Sequence, residues 1–282
     1  MHPLRERLHN ELHARPSIHF GEPAHLHHYA FLDGDGVCET ILALLGELTG
    51  RPPDSEAVQE IFELDGQVLK WERHTEFLTL SLLVPRRDEG ALWPAPPEPL
   101  ASLVESHRES LISATLLLVE SAHRWAGDAR RYGFRDPAGS RIGDGDATVW
   151  SDFHLTAEGV NRLLLVNQGL NDFRLGRMTR RLLEIETYRM MASLALPLAK
   201  ELGIELHDHE RELGELSDRN AERQQESSRP LLASISALSA RLERSGARSR
   251  QRFSATEAYA RIVYARIEEL RERKVGEHPR LG

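Results

Sequence analysis

Glu72, His74 and Glu76 recur at every second position of KWERHTEF, residues 70–77, so two carboxylates flank one imidazole. If residues 69–82 run as a single strand, a period of two sets these three on one face and Trp71, Arg73, Thr75 and Phe77 on the other. Such a trio can ligate a divalent metal, or pair a general base with the carboxylate that orients it. The same alternation also describes cross-strand ion pairs on the polar face of a sheet, which is the commoner use of it. Asp152 and His154 in VWSDFHL share a face by the same rule and would complete the cluster if the two strands were neighbours. Neither stretch has the spacing of a specific zinc or dimetal motif.

Seven of the fourteen histidines fall in the first 28 residues, including His9 and His13 at i, i+4 and the run HLHH. HNELH lacks the order of the zinc-protease helix, so a solvated N-terminus that takes up metal adventitiously is the simpler reading. A second kind of candidate lies in LLEIETYRMMASLALPLAKEL. There Arg189 falls on an apolar row, and a buried guanidinium needs a carboxylate. Glu186, three residues earlier, is the local partner, and Glu72 or Glu76 from the sheet would make the pair a joint between domains, with Trp71 and Tyr188 as packing anchors. The chain holds no P-loop, no G-x-G-x-x-G, no G-x-S-x-G elbow and no cysteine nucleophile with a nearby histidine.

The elements that must position these groups follow from periodicity. HLHHYAFL reads as a strand closed by DGDG, and VCETILALLGELTG as a helix that stops at Gly50. Asp65-Gly66 between two β-rich runs predicts a tight hairpin, because both central residues of a type I′ turn need positive φ. A Pro-rich loop and a short helix lead to LISATLLLVES, a buried strand or a helix. Residues 147–155 and 160–166 read as two more strands. The expectation is an α+β or α/β head over 1–168 with a mixed sheet of about six strands.

Beyond it, over 169–282, the pattern becomes a long antiparallel helical hairpin of coiled-coil type. Leu175, Met178, Leu182, Ile185, Arg189, Ala192, Leu196, Ala199, Gly203 and Leu206 step by three and four, and Pro197 should bend the helix near Ser193. A second helix, from Leu231 to about Lys274, carries Ile235, Leu238, Leu242, Tyr259, Val263 and Leu270 on a similar rhythm and is weakest over RSGARSRQRFS.

Composition narrows the function classes. Of 282 residues 40% are hydrophobic and 28% charged, and the net charge of -8 argues against a general nucleic-acid binder. From Arg229 onward there are 12 Lys and Arg against 6 Asp and Glu, so a basic tail follows an acidic body. Cys38 is the single cysteine, which excludes an intrachain disulfide and fits a reducing compartment. No run reaches the ~18 apolar residues of a membrane span, and the N-terminus lacks the apolar core of a secretory signal. A cytoplasmic location is the expectation.

NELHARP, KWERHTEF, DFHL, LLEIETYRMMASLALPLAKEL and FSATEAYARIVYARIEELRE, in this order, resemble a bacterial family of membrane-anchored proteins, the domain of unknown function numbered three-four-two-two. The resemblance spans almost the whole chain. It implies further helix and a hydrophobic C-terminal segment beyond VGEHPRLG, hence association with the inner face of the inner membrane if the full gene product carries that anchor. By architecture alone the arrangement is loosely similar to the cytoplasmic part of CorA-type magnesium channels. The resulting expectation is a non-enzymatic, self-associating protein, a homo-oligomer without nucleic acid, responsive to a divalent cation at Glu72, His74 and Glu76. A metal-dependent hydrolase using those residues, and a coiled-coil adaptor, are the alternatives.

Overall fold

The computed structural model describes residues 2, 5, 16–51, 57–87, 90–222, 229–276 and 279, and the chain divides into two compact units. The first comprises Met1–Thr187 and Tyr264–Gly282, the second Tyr188–Val263. The N-terminal Leu4, Leu8 and Leu12, with His9 and His13, lie outside the described residues.

The first unit is built on one mixed sheet of nine strands in the order β2-β3-β4-β1-β5-β8-β7-β6-β9. Its strands are β1 Ala24–Leu32, β2 Gln59–Leu64, β3 Gln67–Arg73, β4 Phe77–Pro85, β5 Leu111–Ser121, β6 Ala138–Ile142, β7 Ala147–Ser151, β8 Asn161–Asn167 and β9 Arg273–Lys274. β5 and β8 pair parallel, and the other neighbouring pairs run antiparallel. The hairpin at Asp65-Gly66 forms as expected, with φ of 48° and 76° at the two turn residues.

Three of the nine strands are not in the six that periodicity predicts, each for a local reason. Residues 69–82 are two strands, because the chain reverses at His74–Glu76 and His74 N donates to the Phe77 carbonyl at 2.8 Å. That turn contains no Gly, Pro, Asn or Asp, so turn chemistry gives no warning of it. β6, AGSRI, is too short and mixed to alternate visibly, and β9 has only two residues.

Both faces of the sheet are covered. On one face Leu26, Leu83, Leu117, Leu163 and Leu165 pack with Leu175, Met178, Leu182 and Leu183 of helix α3, Asp172–Ser193. On the other face Phe31, Leu69, Trp71, Leu78 and Leu80 pack with Ile41 and Leu45 of helix α1, Val37–Thr49, and with Leu100 and Leu103 of helix α2, Leu100–Ser106. Trp71 therefore anchors the α1 side of the sheet. Helix α3 is started by Asn171, whose Oδ1 accepts from Arg174 N at 3.0 Å, and tied down by Arg174, whose Nη1 meets Asp146 at 2.6 Å.

The second unit holds the last turn of α3, helix α4, Leu196–Glu222, and most of helix α5, Arg229–Leu270. The expected bend is present: the helix breaks at Leu194–Ala195, and Pro197 sits in the first turn of α4, where its missing N–H leaves no bond unmade. α4 and α5 run antiparallel, with Arg241 bonded to Glu212 and Arg248 to Glu205 at 2.7 Å. RSGARSRQRFS is helical throughout.

The buried row of this hairpin is not the predicted one. Tyr188, Met191, Ala195 and Leu202 are buried, whereas Arg189, Leu196 and Leu206 are exposed. After Ile185 the seam shifts by one residue toward the N-terminus. The half-buried positions that continue it, Glu205, His209 and Glu212, are polar, and the two glutamates pair with α5 guanidiniums, so a hydrophobic template selects the neighbouring row. The expectation that Arg189 is buried is corrected accordingly. Tyr188 stacks on Tyr259 with ring centroids 5.7 Å apart.

Gly176 in α3 has a steric reason to lack a side chain, since a Cβ there would lie 2.1 Å from the Ile18 carbonyl oxygen. Gly176→Ala should lower stability by about 1–3 kcal/mol in urea unfolding, although alanine is the better helix former by ~1 kcal/mol. Unchanged or increased stability would show that Pro16–Phe20 does not lie against α3.

Candidate functional site

Five polar side chains cross the middle of the sheet in register. Lys70 of β3 pairs with Ser81 of β4, Ser81 with His28 of β1, His28 with Thr115 of β5, and Thr115 with Asn161 of β8. Strand alternation puts all five on the face that α3 covers, and every one is buried. Four strand spacings make this a row about 19 Å long inside an otherwise apolar layer. A polar group in such a place must find a partner or cost several kcal/mol, and α3 supplies two of the partners, Thr187 and Glu186.

His28 sits between two hydroxyls, Nδ1 at 2.8 Å from Ser81 Oγ and Nε2 at 3.0 Å from Thr187 Oγ1. A neutral imidazole fits this arrangement with one ring nitrogen donating and the other accepting. Burial is the main reason its pKa falls to about 4, outweighing the pull of Glu72 and Glu184 in the other direction. Lys70 donates to the Pro16 carbonyl at 2.7 Å and lies 3.1 Å from Glu72. Burial also lowers the Lys70 pKa, and Glu72 opposes that shift. At the far end Asn161 Nδ2 donates to Glu186 at 2.8 Å. Thr115 Oγ1 and Asn161 Oδ1 have no hydrogen-bond partner among the described residues.

A narrow cavity of about 40 Å³ opens onto this row, lined by His28, Lys70, Glu72 and Ser81 from the sheet and by Thr179, Arg180 and Glu184 from α3. Its size suits a water molecule or two. Beside it, sharing Ser17, Arg180 and Glu184, lies a larger cleft of about 350 Å³ walled by arginines.

The residues singled out from sequence are distributed differently. Glu72 does belong to the site, with Lys70 as its partner. His74 and Glu76 are in the β3–β4 turn, off the ends of both strands, and the His74 ring stacks on Phe77 with centroids 4.1 Å apart. The three therefore do not share a strand face, and no group of three or more His, Cys, Asp or Glu that could hold a metal ion occurs among the described residues. Asp152 and His154 follow the end of β7, with Phe153 at φ 54°, so they do not alternate on a strand either. β7 is five strand spacings from β3, about 24 Å, which removes the assumed adjacency to Glu72. Glu186 is buried with Asn161 as its partner, and Arg189 is exposed.

HLHH is likewise no solvated tract. His25, His27 and His28 are all buried in β1, near the centre of the sheet. Burial lowers the pKa of each, to about 4 for His27 as for His28, while the Leu92 carbonyl 3.0 Å from His25 partly offsets its shift. Lys70, Ser81, His28, Thr115 and Asn161 escaped the sequence reading as a group because each comes from a different strand. Only strand register brings them into a row.

The fold and site define an α+β domain with a mixed sheet and a buried polar row, followed in the chain by a long bent helical region and a further helix. The chain belongs to the family described as Protein of unknown function (DUF3422), whose model it matches over residues 1–282. No curated protein and no solved structure matches it.

Two expectations follow from the site. His27 and His28 have pKa values of about 4 against 6.5 for a free histidine, so the unfolded chain takes up protons that the folded chain refuses. Their contribution is complete above pH 6.5 and is lost as pH falls toward 4, about 3 kcal/mol for each residue. Urea midpoints measured from pH 7.5 to 4.5 should drop accordingly, and His28→Gln should flatten the curve. A midpoint that stays constant between pH 7.5 and 5 would contradict buried neutral histidines. Separately, Glu72→Gln should cost about 3 kcal/mol by stranding the Lys70 ammonium, whereas the double variant Lys70→Met/Glu72→Leu should recover most of that loss. Equal losses in the two proteins would mean that the pair is not coupled.

Proposed function

We propose that the protein is a non-enzymatic, self-associating protein, and that the helical hairpin of its second unit pairs with the hairpin of a second copy. The observation that carries this reading is the apolar face of that hairpin. Leu196, Leu206 and Leu213 of α4 and Ile235, Leu242 and Phe253 of α5 are exposed, and they flank the buried seam on the same rotational side of each helix. Because the helices are antiparallel, those two flanks lie on one side of the hairpin. Six large apolar side chains on one face exceed the scattered exposure normal for a monomer's surface.

Charge argues for a second copy as the occupant. α4 carries 8 acidic against 3 basic residues, and α5 up to Val263 carries 7 basic against 2 acidic. Two hairpins face to face around a twofold axis, α4 against α5, would bury the leucines and match opposite charges at the rim, as in a four-helix bundle. The polar row of the first unit is consistent with a non-enzymatic role: His28, with a pKa of about 4, is a weak base at neutral pH, and Lys70 is engaged by Glu72. Association with the inner face of a bacterial membrane is a further part of the proposal, supported by the family resemblance. No helix among the described residues is long and apolar enough to cross a membrane.

Sedimentation velocity over two decades of concentration tests the pairing. The expected result is a concentration-dependent dimer or higher even oligomer that Leu206→Glu/Leu242→Glu converts to monomer with helix content unchanged. A wild-type protein that stays monomeric throughout would overturn it.

A further inference from the structure

The larger cleft of the first unit has the chemistry of a phosphate site. Arg177, Arg180 and Arg181 of α3 stand at i, i+3 and i+4, and Arg266, near the end of α5, joins them. Like charges at this spacing repel one another on a helix, so the cluster is unfavourable for the helix alone. The four guanidiniums face two carboxylates, Glu184 and Glu269, which leaves the wall two positive charges in excess.

The carboxylates hold the arginines in place largely by their Nε edges. Glu184 accepts from Arg180 Nε at 2.7 Å and from Arg266 Nε, and Glu269 accepts from Arg181 Nε at 2.7 Å and from Arg266 Nη1 at 2.8 Å. Burial raises the pKa of Glu269, but the Arg181 hydrogen bond and the Arg266 charge outweigh it, and the carboxyl is held below its usual range. The anchoring carboxylates thus fix guanidinium orientation in advance, which lowers the entropy cost of binding. Arg177 is exposed and has no ion-pair partner among the described residues.

We infer that this cleft binds the dianionic phosphate of a phosphomonoester, with Arg177, Arg181 and Arg266 as its direct contacts. Two excess positive charges match a phosphate dianion, and planar guanidiniums bond its oxygens in pairs. The volume of about 350 Å³ exceeds what a phosphate alone fills and is in the range of small-molecule pockets. It leaves room for the organic part of a small molecule or for a lipid headgroup.

Titration calorimetry of the full chain with glycerol 3-phosphate, with glycerol as control, tests the site, and flotation with vesicles containing phosphatidic acid forms the second arm. Saturable binding of glycerol 3-phosphate, weakened about tenfold or more by Arg177→Glu with an unchanged melting temperature, is the expected result. Arg181→Gln should weaken it too, but this variant also removes a structural ion pair, so Arg177→Glu decides. Binding to phosphatidic acid vesicles alone, lost in Arg177→Glu, supports the same phosphate chemistry with a lipid as its source. Binding in neither arm, or binding that Arg177→Glu leaves intact, overturns the inference. Self-association of the helical hairpin is read independently and does not affect either outcome.

Discussion

The first unit depends on keeping a line of polar side chains buried between a sheet and the helix laid across it. Lys70, Ser81, His28, Thr115 and Asn161 would each be costly in an apolar layer. Lys70, His28 and Asn161 are tolerated because Glu72, Thr187, Glu186 and the Pro16 carbonyl meet them at hydrogen-bond or ion-pair distance, and Ser81 because it bonds His28. The partners come from one helix face, a neighbouring position on the same strand and the segment before β1. A shift of α3 by one residue would mismatch Thr187 and Glu186 together, so the row fixes where α3 lies as well as how tightly it packs. Gly176, pressed against the Ile18 carbonyl, fixes the same placement by sterics.

The helical hairpin solves a different problem with similar means. Part of its seam is made of charge: Glu205 and Glu212 meet Arg248 and Arg241 where a leucine seam would place apolar residues. Paired charges at half-buried positions contribute modestly to stability, yet they discriminate strongly between registers, since a slipped hairpin would oppose unlike partners poorly. The leucines displaced from the seam are then available on the outside. Inside the hairpin specificity rests on ion pairs, and the apolar surface faces outward where another helix can cover it.

Several features were legible in the chain itself: the Asp65-Gly66 hairpin, the α1 helix with its stop at Gly50, the β1 strand and the break before Pro197. All follow from local rules, such as positive φ at a turn, periodicity over one element, or a missing backbone donor. Family membership was legible too, because ordered blocks over the whole length carry it.

What tertiary structure alone decided is which residues share a place. KWERHTEF looks like one strand until the reversal at His74–Glu76 separates Glu72 from the other two. HLHH looks like a wet, metal-hungry tract until it becomes an inner strand between β4 and β5 with both sheet faces covered. Arg189 looks buried until the seam shifts by one residue. The arginine cleft joins α3 to a residue more than eighty positions later. The physical reason is the same in each case: periodicity specifies a face within an element, whereas strand register and helix placement specify what that face meets. Those depend on pairings between distant segments that no local pattern encodes.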